Sequence, residues 1–203
     1  MKQVEITLKV NNNFDEIDDI LTNKGFEVIK KNRIEDIYLS QYVDELKEDN
    51  IPFILEKSVL IRRLIINDRD INSIMYKDKK YENGDQVYEE KISVDIDDIE
   101  KAKKIFFKLG FKKLVEVNYD YSVYSDGERE IVFQDVEGLG MMLEYESNED
   151  FEGKPIESIN EEKDRLIKDI KSLGLSIEDN TDIRKAIELI KKSLMKKSEG
   201  KYE

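Results

Sequence analysis

The chain has 203 residues, 47 acidic against 34 basic for a formal net charge of −13, and it contains no cysteine, histidine or tryptophan. Those absences exclude disulfides, thiolate chemistry, histidine triads and most zinc sites, and the negative charge argues against nucleic acid or an anionic membrane as partner, since phosphates are repelled on average. No run approaches the roughly 18 apolar residues that span a bilayer, so a soluble cytoplasmic protein is expected, with chemistry built from Asp, Glu, Lys, Arg, Tyr and bound metal.

The first element is "VEITLKV" (4–10), where Val4, Ile6, Leu8 and Val10 alternate with Glu5, Thr7 and Lys9. Period-2 alternation predicts a strand with one apolar face and one polar face. "FDEIDDILTNKGFEVI" (14–29) follows as a short helix with Ile17, Ile20 and Leu21 on one side, ending near Gly25, the left-handed residue expected just past a helix. Strand candidates come next: "EDIYLS" (35–40), "SVLIRRLII" (58–66), "SIMYKD" (73–78) and "DQVYEE" (85–90). "EKISVDI" (90–96) and a helix in 95–117 that stops at Gly110 then repeat the opening design of strand, helix, Gly-Phe and strand. "YDYSVYS" (119–125), "REIVFQD" (129–135) and "MMLEYE" (141–146) complete the strands, with turns such as "SDGE" between them. The last fifty residues read as two helices around Gly174 with a Lys-rich end.

Roughly eight strands in meander order predict an α+β protein. Its centre is an antiparallel eight-stranded, closed or nearly closed β-barrel, with covering helices and a C-terminal helical appendage. The expected division is 1–150 for the barrel and 151–203 for helices packed on it. Ionic residues recur on these strands: Glu144 and Glu146 share one face, Arg62 sits in an apolar run, Lys77 follows Tyr76, and Glu90 stands at a strand junction. Either these faces meet bulk water, or helices cover the apolar faces and the charges line a lumen wide enough for a ligand. Carboxylates two residues apart on a strand lie about 7 Å from each other, a span that hydrated Mg²⁺ or Mn²⁺ bridges, while Lys and Arg suit a polyphosphate.

The order of these motifs resembles the CYTH superfamily of triphosphate tunnel metalloenzymes, which includes class IV adenylate cyclases and thiamine triphosphatases. "VEITLKV" is similar to the family's opening Glu-x-Glu-x-Lys, with Thr7 for the second Glu. Asp36 and Tyr38 match Asp-x-Tyr, "VLIR" (59–62) is similar to Leu-Arg-Ile-Arg with Leu60 for the first Arg, and "MYK" (75–77) matches Thr-Tyr-Lys. "DVEGLGMMLEYE" (135–146) is close to the family's Val-Glu-Gly-Leu-Gly ending with its Glu-x-Glu. The departures are Thr7, Leu60, Tyr119, Tyr121 and Gln134, which replace two acids and three bases.

The resemblance implies that Lys9, Arg62 and Lys77 contact phosphate oxygens, with Lys9 and Lys77 catalytic and Arg63 replacing Arg62 if the register shifts by one. Tyr119 and Tyr121 would donate hydrogen bonds to substrate. Glu5, Glu90, Glu144 and Glu146 would hold Mg²⁺ or Mn²⁺. The implied partner is a small-molecule triphosphate or nucleotide, with a homodimer admitted. Two functions are left open: a metal-dependent triphosphatase or class IV adenylate cyclase-like enzyme, and a degenerate tunnel binding another anionic or organic ligand without turnover.

Overall fold

A computed structural model describes residues 3–67, 69–82 and 85–199, and the side chains of 77–90 and 197–199 lie outside it. The strands are β1 (Glu5–Lys9), β2 (Glu27–Ser40), β3 (Val59–Ile66), β4 (Arg69–Glu82), β5 (Asp85–Asp95), β6 (Lys112–Ser125), β7 (Glu130–Val136) and β8 (Gly140–Glu146). The helices are α1 (Phe14–Thr22), α2 (Ile51–Glu56), α3 (Ile99–Lys108), α4 (Ile156–Ser172) and α5 (Lys185–Glu199). The protein is α+β, with one eight-stranded sheet in the order β1-β8-β7-β6-β2-β3-β4-β5 and antiparallel pairing throughout the described registers. No helix among the described residues is long and apolar enough to cross a membrane.

The chain divides into two compact units, one formed by 1–32 with 119–184 and the other by 33–118 with 185–203. Strands β2 and β6 run through both. In the first unit, Ile6, Leu8, Ile131, Phe133, Leu143 and Tyr145 place the apolar faces of β1, β7 and β8 in one core. Ile17 and Leu21 of α1 and Leu166 and Ile170 of α4 complete it. Tyr124 is fully buried there and stacks edge-on against Phe133 at 5.5 Å. In the second unit, Leu39 and Ile61 pack with Ala102 of α3, joined by Ile37, Ile74, Ile99 and Phe106.

The helices predicted to end at Gly25 and Gly110 stop as their sequences require. The amide of Phe26 donates to Leu21 O at 3.0 Å and that of Gly25 to Thr22 O at 3.0 Å. Phe111 to Phe106 at 3.0 Å and Gly110 to Phe107 at 3.2 Å repeat the pattern. This is the paired bonding of a Schellman stop, with Gly25 at φ 86° and Gly110 at φ 85°. Other boundaries differ from the sequence expectation. "DQVYEE" and "EKISVDI" fuse into the single strand β5, and β2 is continuous from Glu27, because neither glycine nor proline interrupts either run. Helix α2 was not anticipated; Pro52 lies in its first turn, where a missing amide costs nothing.

The sheet order ends on β1 and β5, and the outer edge of β1 is already occupied. Thr7 N donates to Thr181 O (3.2 Å), and Ile183 N to Thr7 O (3.1 Å). Glu178 N bonds Lys9 O (3.0 Å), and Asn11 N bonds Ser176 O (2.8 Å). Residues 176–183 thus form a strap along β1.

Candidate functional site

The polar residues of "VEITLKV" fall on the sheet face opposite α1 and α4, since Ile6 and Leu8 take the helix-covered face. Strand register sorts that polar face of the first unit into rows. Glu5 pairs with Glu146 across β1 and β8, and Ser125 with Glu130 across β6 and β7. The next row runs Thr7, Glu144, Val132, Val123, and the third Lys9, Met142, Gln134, Tyr121. An acidic end therefore grades into a row of amide, phenol and ammonium.

A cavity of about 330 Å³ opens at the acidic end, lined by Glu5, Glu144 and Glu146 together with Glu128, Glu130 and Asn148. Glu5 accepts from the Thr7 hydroxyl through Oε1 at 3.1 Å. Gln134, almost fully buried, donates from Nε2 to Glu144 Oε2 at 2.6 Å. Two neutral residues, Thr7 and Gln134, thus each hold one of the carboxylates. Tyr121 accepts from Asn32 Nδ2 at 2.9 Å and has the Lys30 ammonium 5.8 Å from its ring centre. Tyr119 is buried, its ring 6.3 Å from that of Tyr121.

In the second unit Arg62 and Arg63 take opposite faces. Arg63 lies on the face of Ile61, the side packed with α3, and its guanidinium bonds Asp70 Oδ2 at 2.7 and 2.9 Å and Glu35 Oε2 at 3.3 Å. Arg62 lies on the other face, with Leu60. Its Nε and Nη2 bond Asp36 Oδ1 and Oδ2 at 2.7 and 2.6 Å, a bidentate pair on a buried carboxylate. Register thus gives Arg62, not Arg63, to the face turned away from the helix. The backbones of Lys77 and Glu90 belong to β4 and β5, where Lys77 pairs with Lys91 and Glu90 with Asp78; their side chains lie outside the described residues.

Among the sequence-derived candidates, the first unit brings Glu5, Glu144 and Glu146 to one cavity wall, with Lys9, Tyr119 and Tyr121 farther along its strands. Hard carboxylate oxygens are the donors Mg²⁺ and Mn²⁺ prefer, so the donor set fits such an ion, although among the described residues no three acids converge into a preformed cage. Two lining acids, Glu128 and Glu130, escaped the sequence reading. Glu130 carried a usable signal: it stands two and four residues before Val132 and Gln134 on one strand face.

Over 199 residues, spanning 98% of this chain and 96% of the relative, the sequence is 32% identical to Putative adenylate cyclase MJ0240 of Methanocaldococcus jannaschii. The chain belongs to the CYTH superfamily. This CYTH protein is a divergent member: no protein-family model matches its sequence. Its fold is similar to that of the PH1819 protein of Pyrococcus horikoshii, with a TM-score of 0.63 at 26% identity, covering 87% of this chain and 93% of that one. It also shares the fold of Putative adenylyl cyclase HpAC1 from Hippeastrum, for which a dominant triphosphatase activity is given, with a TM-score of 0.52 at 14% identity over 87% and 90% of the two chains.

Proposed function

We propose that this CYTH protein binds the polyphosphate tail of a triphosphate or nucleotide and cleaves it by metal-dependent phosphoryl transfer. The observation that carries this reading is the segregation of ionic and amide side chains onto the sheet face opposite the helices, with Glu5, Glu144 and Glu146 around one cavity. On this reading the eight strands curve into the nearly closed tunnel of the superfamily, with the strap 176–183 finishing the β1 side. Lys9, Arg62 and Lys77 would neutralise phosphate oxygens, and Tyr119 and Tyr121 would orient the chain through hydrogen bonds. Glu5, Glu144 and Glu146, with Glu90, would hold Mg²⁺ or Mn²⁺, which would supply Lewis-acid charge neutralisation for phosphoryl transfer. Phosphoryl transfer asks little covalent chemistry of the protein and much positioning. The names carried by the relatives support both hydrolysis and cyclisation.

Melting temperature followed with tripolyphosphate or ATP, each with and without Mg²⁺ or Mn²⁺, tests the binding step, because a ligand of the folded state stabilises it by mass action. A rise that requires metal and triphosphate together supports the proposal, and product analysis then separates orthophosphate release from cyclic nucleotide. Glu144→Gln with Glu146→Gln is expected to abolish the metal requirement. A metal-independent rise, or none, returns the protein to the class of tunnels that bind without turnover.

A further inference from the structure

We propose that Lys30 and Asn32 of β2 and Tyr121 of β6 form an oxyanion subsite on the polar sheet face, with the Lys30 ammonium supplying its positive charge. This subsite, which rests on the polyphosphate-binding function proposed above, holds one phosphate group of that ligand.

Strands β6 and β2 are neighbours in the sheet. Side chains two residues apart on a strand share a face, so Lys30 and Asn32 lie on one side of β2 and Lys31 on the other. The contacts say which side is which. Asn32 Nδ2 donates to the Tyr121 hydroxyl oxygen at 2.9 Å, and the Lys30 ammonium lies 5.8 Å from the centre of the same ring. Tyr121 pairs with Gln134, in the polar row that also contains Met142 and Lys9. Lys31, one residue along, puts its ammonium 5.2 Å from the ring centre of Phe14 in α1. Two adjacent lysines of identical chemistry are thus divided between the polar face and the helix face.

The groups on the polar face suit a phosphate oxygen. A phenol has one hydrogen to donate and lone pairs with which to accept. Because Asn32 donates to Tyr121, the Tyr121 hydrogen is directed elsewhere, and toward a ligand the phenol acts as a donor. Asn32 is therefore a positioning residue, and Lys30 and Tyr121 are the two groups that touch the phosphate. Lys30 is exposed, and among the described residues no carboxylate forms an ion pair with it. Arg33, by contrast, bonds Glu35 at 3.0 Å. The Lys30 ammonium rests over a ring face instead, a weak contact at a solvated site that a phosphate anion can replace. Glu5, Glu144 and Glu146 stand on β1 and β8, and β7 and β6 separate them from β2 in the sheet order. The acids that suit a metal and the ammonium that suits a phosphate therefore do not neutralise each other.

Calorimetric titration of the full chain with tripolyphosphate in the presence of Mg²⁺ tests the subsite. Lys30→Gln is expected to weaken binding on the order of 10-fold, the measure of one charge-assisted hydrogen bond at a solvated site, and Lys30→Arg to retain it. Lys31→Gln changes the net charge equally but on the opposite face, and is expected to leave binding unchanged. Adding Tyr121→Lys to Lys30→Gln returns an ammonium to the same place and is expected to recover the lost affinity, which a merely structural role of Lys30 would not allow. Both lysines are exposed, so the melting temperature without ligand is expected to match wild type in both glutamine variants. A wild-type chain that binds tripolyphosphate, with Lys30→Gln and Lys31→Gln binding it at equal affinity, overturns the subsite and leaves the polyphosphate function standing. A wild-type chain that binds none overturns that function, and the subsite with it.

Discussion

At the scale of single residues, the polar substitutions that mark this chain as divergent are not idle. Gln134 occupies the place of a family acid and donates to Glu144, while Thr7 replaces another and donates to Glu5. Each trades a charge for a hydrogen bond that orients a surviving carboxylate. Asp36, by contrast, is almost fully buried, and it grips Arg62 in two places. Asp36→Ala removes the acceptor and is expected to cost about 2–3 kcal/mol, the range of a lost charge-assisted bond, measurable by denaturant unfolding. The buried phenol of Tyr124 donates to Asp18 at 2.8 Å. Its pKa is raised first by burial and then by the Asp18 carboxylate. The folded state therefore favours the protonated phenol. That contribution is complete below the unfolded tyrosine value of about 10 and is lost as pH rises beyond it. Stability measured through the alkaline range is expected to fall above about pH 10, and Tyr124→Phe is expected to soften that fall while costing about 1 kcal/mol at neutral pH. At the acid end, Arg165 bonds Glu162 and holds its carboxyl below the usual range. Its contribution is present above the ordinary glutamate value and is lost as pH falls through the lowered one.

At the scale of elements, the legible parts were those governed by local rules. Alternation in "VEITLKV" and the Gly-Phe stops after α1 and α3 are short-range signals, and each corresponds to an observed strand edge or bonded turn. The opened space around Gly110 makes a clean test. A Cβ there would meet nothing within 4 Å, while φ is +85°, so Gly110→Ala reports backbone strain alone. A cost of about 1 kcal/mol is expected, read as a fall of about 2–4 °C in Tm for a chain of this size. What the sequence concealed depends on partners far away. That β5 runs unbroken through Tyr88 to Ser93 depends on β4 beside it. Arg62 and Arg63 are adjacent and chemically alike, and only the register of β3 against β2 sends one to Asp36 and the other to Asp70 and Glu35. A one-residue slip would exchange them.

At the scale of the whole molecule, family and α+β class could be read from motif order, but the sheet's ends could not. Nothing in "LGLSIEDNTDIRKA" announces that residues 176–183 lie along β1, because the segment bonds through its backbone and carries no strand alternation. The same strap sets a timetable. Glu5 finds its sheet partner at Glu146 and Thr7 its second backbone partners at Thr181 and Ile183. Strand β1, made before the other described strands, is thus among the last to be satisfied, with loop closures of about 140 residues or more standing in its way. Nascent chains stalled before β8 emerges are expected to leave the amides of β1 open to rapid hydrogen exchange, with that of Thr7 protected only after the strap is released. A stalled chain of that length with β1 already protected would place its early pairing elsewhere.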